Sequence, residues 1–398
     1  MFFFDFNIIY LLFITFLFNM LILGIDTSCD ETAAAVLKNN IVISNVIYSQ
    51  VKYHSEFGGV VPSIAKLQHE KNIDKIINLA LKRAKISFKD LDAIAVTIGP
   101  GLAISLEVGI RKAKELSSLY SLPIIPINHM EGHLYSGFLQ PKTTSINKIF
   151  DIPKNFPVLG ILLSGGHSEF ILVEHLFVYK KLGETLDDAC GECFDKCARM
   201  LNLGYPGGKV LSKLADISRK DLNIQVTNID GNLYVRELNY KWMLPVPMAK
   251  TKDYNLSFSG LKTAFSSLLK AIGNIDKNSI GKLCAFVEYA ILYQVIIKLT
   301  NILLDYKDYF EEIWLGGGVI ANNQLNKMIR NVIKQDYNNI SIIKPYKKIF
   351  TGDNAAMIAL VGYLKYCKYK KNAFTANLDA IDRLPTLDIS TNYFKKFL

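Results

Sequence analysis

Short apolar runs alternate along the chain with segments of helical periodicity. Residues 21–25 and 33–37 are continuous apolar runs separated by a polar turn, and residues 91–98 form another run. Apolar runs of this length, bounded by turn residues, are typical of buried strands. Residues 64–84 and 105–120 instead have the spacing of amphipathic helices. Strands that alternate with helices predict an α/β fold with a largely parallel sheet.

The apolar–polar–apolar pattern of residues 23–37 recurs at residues 159–173. Both segments begin Leu-Gly-Ile, they align without a gap, and Ser28 corresponds to Ser164. An internal duplication of this kind predicts two related halves, each opening with a strand–loop–strand unit. The proline-containing residues 140–156 are the predicted boundary between them. Facing loops from two such halves would form a cleft suited to a nucleotide-like ligand.

The second half of the chain has a less regular pattern. Residues 218–255 mix polar and apolar positions and are expected to be rich in loops, whereas residues 283–306 predict a long amphipathic helix. Residues 313–322 predict a strand, a glycine turn and the start of a helix. Asp353 precedes an apolar helical segment, so the local pattern gives it the role of N-cap.

Two histidines in the segment 128–133 lie four residues apart, directly after an apolar run that predicts a strand. Asn128 is a good N-cap, which places His129 and His133 one turn apart on one helix face. This spacing suits two imidazoles on one metal ion, although it also arises by chance. Glu131 lies about 200° around the helix from His129. It is therefore poorly placed to activate a metal-bound water and is expected to complete a capping box with Asn128.

Composition limits the class of protein without identifying its partner. With 398 residues, of which half are hydrophobic and 21% are charged, the chain is expected to fold into two domains of ordinary size. Its net charge of +10 favours a polyanionic partner. However, only 7 of its 46 basic residues are arginine, the better phosphate ligand, so compositional drift toward lysine also explains the charge.

The cysteines are scattered except for Cys190, Cys193 and Cys197. This spacing describes either one buried face of a helix or part of a zinc or iron–sulfur site. No fourth cysteine lies close in the sequence, and small core residues are the favoured interpretation. Nothing in the spacing predicts a disulfide framework, so a reducing compartment is expected.

Residues 1–19 are strongly apolar but contain Asp5 and no lysine or arginine. A secretory signal requires a basic first region, and a mitochondrial presequence requires arginines. The run is marginal in length for a membrane span. It is interpreted as an extension that precedes the functional start at Met20, with a membrane anchor as the alternative.

Seven motifs together closely resemble the bacterial-type tRNA N6-adenosine threonylcarbamoyltransferase family, over roughly residues 20–371. They are residues 24–32, 129–133, 163–167, 194–196, 257–263, 316–322 and 353–359. The resemblance implies an α/β fold of the actin/Hsp70/sugar-kinase superfamily. That fold is a duplicated actin-like ATPase, or ribonuclease H-like, fold with two related lobes around a central cleft.

The sequence pattern and the resemblance together predict a domain order. It runs as an extension at 1–19, lobe I at 20–139 completed by a C-terminal helix near 353–371, a linker at 140–156, lobe II at 157–352, and a C-terminal tail at 372–398.

Site residues follow from the matched motifs. The resemblance implies that His129, His133 and Asp353 hold one divalent metal ion, usually iron(II) and sometimes zinc. The residues expected to line the adenylate site are Leu162, Leu163, Ser164, Gly165, Gly166, Asp195, Gly208 and Asn322. Asp30 and Glu31 are further acidic candidates near the reaction.

The family transfers a threonylcarbamoyl group from threonylcarbamoyl-adenylate to N6 of adenosine 37, in tRNAs that read codons beginning with A. Its members work in the cytoplasm with a smaller inactive paralogue and a small ATPase, and no membrane is expected unless residues 1–19 act as an anchor. Two other functions remain open from the sequence. One is a metallopeptidase, which the position of Glu131 disfavours, and the other is a non-catalytic ATP-binding regulatory module.

Overall fold

The structure, a computed structural model, describes residues 19–143, 153–221, 226–229, 232–235, 242–375 and 377–396. They form two compact units. Unit 1 contains the described residues up to Gln50, from Pro62 to Ile152, and from Asp353 onward. Unit 2 contains Val51–Val61 and Pro153–Gly352. The apolar extension lies outside the described residues apart from Asn19, and so does most of the predicted linker.

The strands alternate with helices as the apolar pattern predicts. In chain order the strands are β1 (Leu21–Asp26), β2 (Glu31–Lys38), β3 (Ile41–Ser49), β4 (Ala93–Gly99), β5 (Ile124–Asn128), β6 (Val158–Leu163), β7 (Ser168–His175), β8 (Val178–Glu184), β9 (Val226–Ile229), β10 (Asn232–Val235), β11 (Trp242–Pro245), β12 (Glu312–Gly316) and β13 (Ser341–Ile343). The helices are α1 (Val51–His54), α2 (Pro62–Ala84), α3 (Ala103–Tyr120), α4 (His129–Tyr135), α5 (Cys190–Met200), α6 (Gly208–Asp221), α7 (Ser259–Ile272), α8 (Lys277–Asp305), α9 (Asn323–Asp336) and α10 (Ala355–Tyr369).

Unit 1 is built on a five-stranded sheet in the order β3-β2-β1-β4-β5. The first three strands form an antiparallel meander, and β4 and β5 run parallel to β1. Every residue of β4 is buried, as expected for a strand covered on both faces. Helix α10, from the C-terminal part of the chain, packs on β1 and β2. The carboxyl ends of β1, β4 and β5 therefore lie along one edge of the sheet.

Unit 2 repeats this arrangement with the strand order β8-β7-β6-β12-β13. β6 pairs antiparallel with β7 and parallel with β12, just as β1 pairs with β2 and β4. The repeated segments 23–37 and 159–173 thus occupy equivalent central hairpins. The predicted duplication is confirmed, and with it the α/β class of the actin-like ATPase fold.

Several short elements lie among the described residues of 218–255, the segment predicted to be rich in loops. Helix α6 extends to Asp221, and β9, β10 and β11 form a separate three-stranded antiparallel sheet. Trp242 and Leu244 alternate inward on β11 and are buried in the core of unit 2. Each strand is only four residues long, so the alternation of apolar and polar positions that predicts a strand covers too few residues to be recognised.

Helix α8 is the core helix of unit 2. Within the described residues, its segment Ser279–Asp305 is the one helix long and apolar enough to cross a membrane. However, 67% of its most apolar window is buried inside the structure. Its apolar residues face the core on most sides rather than along one stripe, so the amphipathic prediction for 283–306 was wrong in that respect.

Cys190, Cys193 and Cys197 lie on the buried face of α5, within the same hydrophobic core. Burial raises the pKa of the Cys190 thiol, which disfavours the thiolate form that binds metals. The structure therefore supports the interpretation of these three residues as core side chains.

We expect the triple change Cys190→Ala, Cys193→Ala and Cys197→Thr to leave metal content and catalytic activity intact. It should lower the free energy of unfolding by roughly 2–3 kcal/mol, because each buried atom removed leaves a small cavity. Cys284→Ala, a buried thiol of the same core, is the matched control and should cost a similar amount per sulfur. Loss of bound iron or of visible-range absorbance in the triple variant, but not in the control, would identify a genuine cluster site.

Candidate metal centre

The helix that carries the two histidines begins where the sequence predicts. Strand β5 ends at Asn128, whose side-chain oxygen accepts hydrogen bonds from the backbone N–H groups of Met130 (2.8 Å) and Glu131 (3.4 Å). His129 and His133 then lie one turn apart, with ring centroids separated by 4.7 Å and planes at 85°. Both imidazoles are buried. The local sequence thus fixes the two side chains in a defined mutual geometry.

Asp353 completes a three-residue group. Its Oδ1 lies 3.1 Å from Nε2 of His133 and 3.5 Å from Nε2 of His129. One ligand atom from each of the three residues lies within 4.8 Å of the other two. Among the described residues, this is the one group of three or more His, Cys, Asp or Glu side chains placed to hold a metal ion. Two imidazoles and one carboxylate form a donor set that suits a divalent transition metal.

The position of Asp353 corrects the role that its local pattern predicts. The N-cap of α10 is Asn354, whose side-chain oxygen accepts from the N–H of Met357 at 3.1 Å. Asp353 precedes the cap, and its carboxylate contacts the histidines instead of the helix terminus. The N-cap prediction for Asp353 was therefore wrong.

Gly132, between the two histidines, allows helix α4 to approach α10 closely. A Cβ atom at this position would lie 2.9 Å from Cγ of Met357 and 3.0 Å from Cδ1 of Ile358. Such distances are shorter than van der Waals contact, so a side chain here would push the helices apart. The glycine thereby keeps the histidines close to the segment that carries Asp353.

Asp26 belongs to the site although the sequence pattern placed it in a turn. It is the last residue of β1, only 1% exposed, and its Oδ2 lies 3.4 Å from Nδ1 of His129. Burial opposes the charging of His129, but the Asp26 and Asp353 carboxylates prevail and raise its pKa to about 10. The sequence signal for Asp26 is its position at the carboxyl end of a central strand, because ligands bind at that edge of parallel sheets.

Further acidic groups lie in the loop after β1 and at the first residue of β2. Burial raises the pKa of Glu31 well above its usual range, and the carboxylates of Asp30, Asp353 and Asp26 raise it further. The proximity of negative charges is unfavourable by itself, and a cation bound nearby would relieve it. The charge of Asp353 therefore acts on Glu31, and a role of Asp30 and Glu31 in the reaction stays a prediction.

His69 is a supporting residue that the sequence analysis did not single out. Its Nε2 lies 2.9 Å from the carbonyl oxygen of Cys29, and its Nδ1 lies 2.8 Å from Oγ1 of Thr32. Because a carbonyl can only accept, Nε2 carries the proton and Nδ1 accepts from the threonine hydroxyl. This fully buried imidazole therefore holds the backbone at Cys29 and the side chain of Thr32, the residues on either side of Asp30 and Glu31.

Glu131 does not form the predicted capping box. The backbone N–H of Asn128 donates to the hydroxyl of Tyr393 at 2.9 Å. The Glu131 carboxylate lies 3.0 Å from Nζ of Lys365 and accepts a hydrogen bond from the Tyr393 hydroxyl at 3.0 Å. All three side chains are buried. The helix that carries the histidines is thus tied to α10 and to the C-terminal segment by a buried ion pair.

The residues predicted to bind the adenylate lie in unit 2, and the first of them form a turn between β6 and β7. Leu162 and Leu163 end β6, and the N–H of Ser164 donates to the carbonyl of His167 at 2.8 Å. The N–H of Gly191, on α5, donates to the Ser164 carbonyl at 3.1 Å. The turn is therefore held against the start of α5. A Cβ atom on either of its glycines, Gly165 and Gly166, would meet no atom within 4 Å, so their outer side is open.

Asp195 and Gly208 are in direct contact. Oδ1 of Asp195 accepts hydrogen bonds from the N–H groups of Gly207 (2.9 Å) and Gly208 (2.8 Å), at the start of α6. A carboxylate that accepts two backbone hydrogen bonds fixes the glycine turn in place. The role that the structure gives Asp195 is thus to position the first turn of α6.

Asn322 connects to the same helix. It is the N-cap of α9, and its side-chain oxygen accepts from the N–H of Leu325 at 2.9 Å. Its Nδ2 donates to Oγ of Ser212 (3.0 Å), one turn along α6 from Gly208, and to Oε1 of the buried Glu288 (2.6 Å). Asp195, Gly208 and Asn322 are therefore linked through α6, whereas Glu288 has no recognisable signal in the sequence.

Comparison with known proteins supplies the context for this geometry. A family model described as tRNA N6-adenosine threonylcarbamoyltransferase matches residues 41–360. A protein of that name from Caldicellulosiruptor saccharolyticus is 38% identical over 361 residues, covering 90% of this chain and 96% of its own. One from Dictyoglomus turgidum is 36% identical, covering 91% and 99% respectively. One from Thermosipho melanesiensis is 39% identical, covering 92% and 99%.

Proposed function

The chain belongs to the tRNA N6-adenosine threonylcarbamoyltransferase family, and we propose on this premise that it modifies adenosine 37 of tRNAs that read codons beginning with A. The reaction transfers a threonylcarbamoyl group from threonylcarbamoyl-adenylate to N6 of the adenine. The observation that carries the proposal is the His129, His133 and Asp353 group, assembled from distant motifs inside a chain that matches the family along most of its length.

We propose that these three residues hold one divalent metal ion, iron(II) in preference to zinc. Two histidines and one carboxylate with open positions are typical of non-haem iron(II) sites, which supports this choice. When bound, the ion supplies Lewis acidity toward oxygen atoms of the acyl donor. Asp26 beside Nδ1 of His129 orients that imidazole, as carboxylates commonly do for metal-binding histidines.

The adenylate is proposed to bind at the turn of Leu162–Gly166, together with Asp195, Gly208 at the start of α6 and Asn322 at the N-cap of α9. The open outer side of Gly165 and Gly166 allows close approach of a ligand to the backbone. The donor is a mixed carbamic–phosphoric anhydride and is already activated, so the protein needs no nucleophile of its own. The main contribution of the site to catalysis is then to orient the adenine amine toward the carbamoyl carbon.

The transfer forms a C–N bond to N6, breaks the anhydride C–O bond and releases AMP. The amine must also lose a proton. Asp30 and Glu31 are the proposed acceptors, because they belong to one of the seven matched motifs and the charge of Asp353 acts on Glu31.

A metallopeptidase is disfavoured by the surroundings of Glu131. A hydrolytic site of the H-E-x-x-H kind needs a carboxylate that contacts a metal-bound water. Glu131 instead pairs with Lys365 and Tyr393 in the interior of unit 1. It is therefore committed to a structural contact.

The proposed partners are tRNA, the adenylate donor, a smaller inactive paralogue and a small ATPase. The proposed location is the cytoplasm, where tRNA is modified and where free thiols such as those of the six cysteines persist.

Incubation of the purified protein with synthetic threonylcarbamoyl-adenylate and unmodified tRNA tests the proposal. Nucleoside mass spectrometry should detect threonylcarbamoyladenosine, and a transcript with guanosine at position 37 is the matched negative control. The proteins that co-purify with the chain are kept in the assay. ATP binding without transfer would favour the regulatory module, and release of peptides from a protein substrate would favour the peptidase.

A further inference from the structure

A pocket in unit 2 combines an apolar floor with a cationic rim. It lies between α9 and the segment that follows β13. Ile320, Pro345 and Thr351 are buried and form part of its floor, while the charged groups of Arg330, Lys344 and Lys348 stand at its rim. None of these residues belongs to the metal centre or to the proposed adenylate turn.

Arg330, Lys344 and Lys348 line the same pocket, and the hydrogen-bond acceptors that Lys344 and Lys348 find among the described residues are uncharged. Nζ of Lys344 donates to Oδ1 of Asn326 at 2.7 Å, and Nζ of Lys348 donates to Oδ1 of Asn323 at 3.3 Å. Both acceptors are uncharged amides. Within the described part of the chain, none of the three cations forms an ion pair with a carboxylate.

The pKa of Lys344 is lowered by its surroundings. Burial lowers its pKa, and the positive charges of Arg330 and Lys348 lower it further. The carboxylate that reaches this group is Asp216, which accepts from Nδ2 of Asn323 at 3.0 Å and is itself paired with Arg219 at 2.7 Å. An anion in the pocket would relieve the repulsion, so the local charge favours a phosphate or a similar group.

The positive charge continues beyond the pocket. Between residues 323 and 350 the sequence has a single acidic residue, Asp336, and six basic ones: Lys327, Arg330, Lys334, Lys344, Lys347 and Lys348. Lys327, Arg330 and Lys334 recur at helical spacing on α9. Tyr346, 38% exposed, lies beside the pocket residues with Nζ of Lys347 5.8 Å from its ring centre. One free phosphate could use only the pocket, whereas a nucleic-acid backbone can use the whole cationic surface.

We propose that this pocket binds a backbone phosphate of the substrate tRNA, with Tyr346 available beside it to stack against a base. The inference rests on the proposed function, since it assigns part of the tRNA-binding surface of the same enzyme. A phosphate bound by an arginine guanidinium and lysine ammonium groups, next to an exposed aromatic ring, is a typical arrangement for RNA contacts.

The test replaces the three cations together, as Arg330→Gln, Lys344→Gln and Lys348→Gln. The full chain, with the proteins that co-purify with it, is titrated with an unmodified tRNA transcript between about 50 and 200 mM salt. We expect affinity to fall about tenfold or more, and the slope of log K against log salt to shrink by roughly 1 for each phosphate that the variant no longer neutralises. At saturating tRNA, kcat should be unchanged while KM for tRNA rises.

Two control variants accompany the test. Lys180→Gln, Lys270→Gln and Lys307→Gln remove three exposed charges elsewhere in unit 2 and should leave tRNA affinity within about twofold, as for charges that touch no phosphate. Lys180 lies on β8, at the opposite edge of the sheet from β13. The charge-preserving variant Arg330→Lys, Lys344→Arg and Lys348→Arg should recover most of the binding.

The outcomes separate the pocket from the reaction. Equal loss of affinity in the control triple, or an unchanged salt slope in the pocket triple, would overturn the proposal. A rise in KM for threonylcarbamoyl-adenylate in place of tRNA would also overturn it, since the pocket would then serve a free nucleotide. If the unaltered protein binds tRNA through this pocket but transfers nothing, the proposed function fails and the pocket assignment stands.

Discussion

Replacement of His133 by alanine is expected to empty the metal site and to reduce single-turnover transfer by far more than a hundredfold. His133 is fully buried, and its Nε2 is the imidazole nitrogen nearest to Asp353. Its loss leaves His129 and Asp353, and two protein ligands are too few to hold a divalent ion firmly. Loss of a residue that only supports a ligand typically costs 10–100-fold, so loss of a direct ligand should exceed that range.

Metal analysis of the purified variant is the decisive measurement, because it does not depend on activity. The control is His175→Ala, which removes an exposed histidine of unit 2 and should retain one ion per chain. Asp26→Asn should retain the ion but bind it more weakly, since only the orientation of His129 is disturbed. One ion per chain in His133→Ala would reject the assignment of this residue as a ligand.

Replacement of Glu131 should destabilise unit 1 strongly while leaving the chemistry of the site intact. In Glu131→Gln, Lys365 remains buried without an opposite charge, and breaking a buried pair in this way typically costs about 3–5 kcal/mol. A capping role alone would cost only about 1 kcal/mol. Transfer by the folded fraction should stay within about tenfold of the unaltered protein, an expectation based on the side chain pointing away from the metal ligands.

A double-mutant cycle with Lys365→Met measures this pair directly by denaturant unfolding. Adding Lys365→Met to Glu131→Gln should restore most of the missing stability, because both charges are then absent from the core. Glu70→Gln breaks an exposed pair with Arg111 and should cost no more than about 1 kcal/mol. If Glu131→Gln also cost no more than about 1 kcal/mol, and adding Lys365→Met restored no stability, the buried ion pair would be contradicted. A thousandfold loss of transfer with metal still bound would revive the hydrolytic alternative.

The duplicated architecture was predictable because it depends on local patterns. Residues 23–37 and 159–173 have the same sequence of buried runs and polar loops, and the structure gives them equivalent positions in two sheets. The histidine helix was predictable for the same reason, since Asn128 as N-cap and the i, i+4 spacing both lie within six residues.

The rest of the metal centre depends on contacts between distant parts of the chain. Lys365 and Tyr393 are 234 and 262 positions from Glu131, so no local pattern could reveal that they are its partners. The local pattern at Asp353 failed differently, because Asp353 and Asn354 are both residues that cap helices, and Asn354 takes that position. Asp353 was connected to the histidines only through the family resemblance, and Asp26 was missed because a strand-ending aspartate looks like a turn residue.

The discontinuity of unit 1 has a consequence for biosynthesis. Asn128 and Asp353 are separated by 225 positions, and all of unit 2 from Pro153 onward is translated between them. At a translation rate of about 5–20 residues per second, roughly 10–45 s pass between the synthesis of β5 and that of α10, which packs on β1 and β2. During that interval the sheet is packed against α2 and α3 but lacks α10, and the proposed ligand set lacks Asp353. Binding of a metal ion at the proposed site therefore requires that the chain has been translated as far as Asp353, and a chain terminated before α10 would lack that ligand.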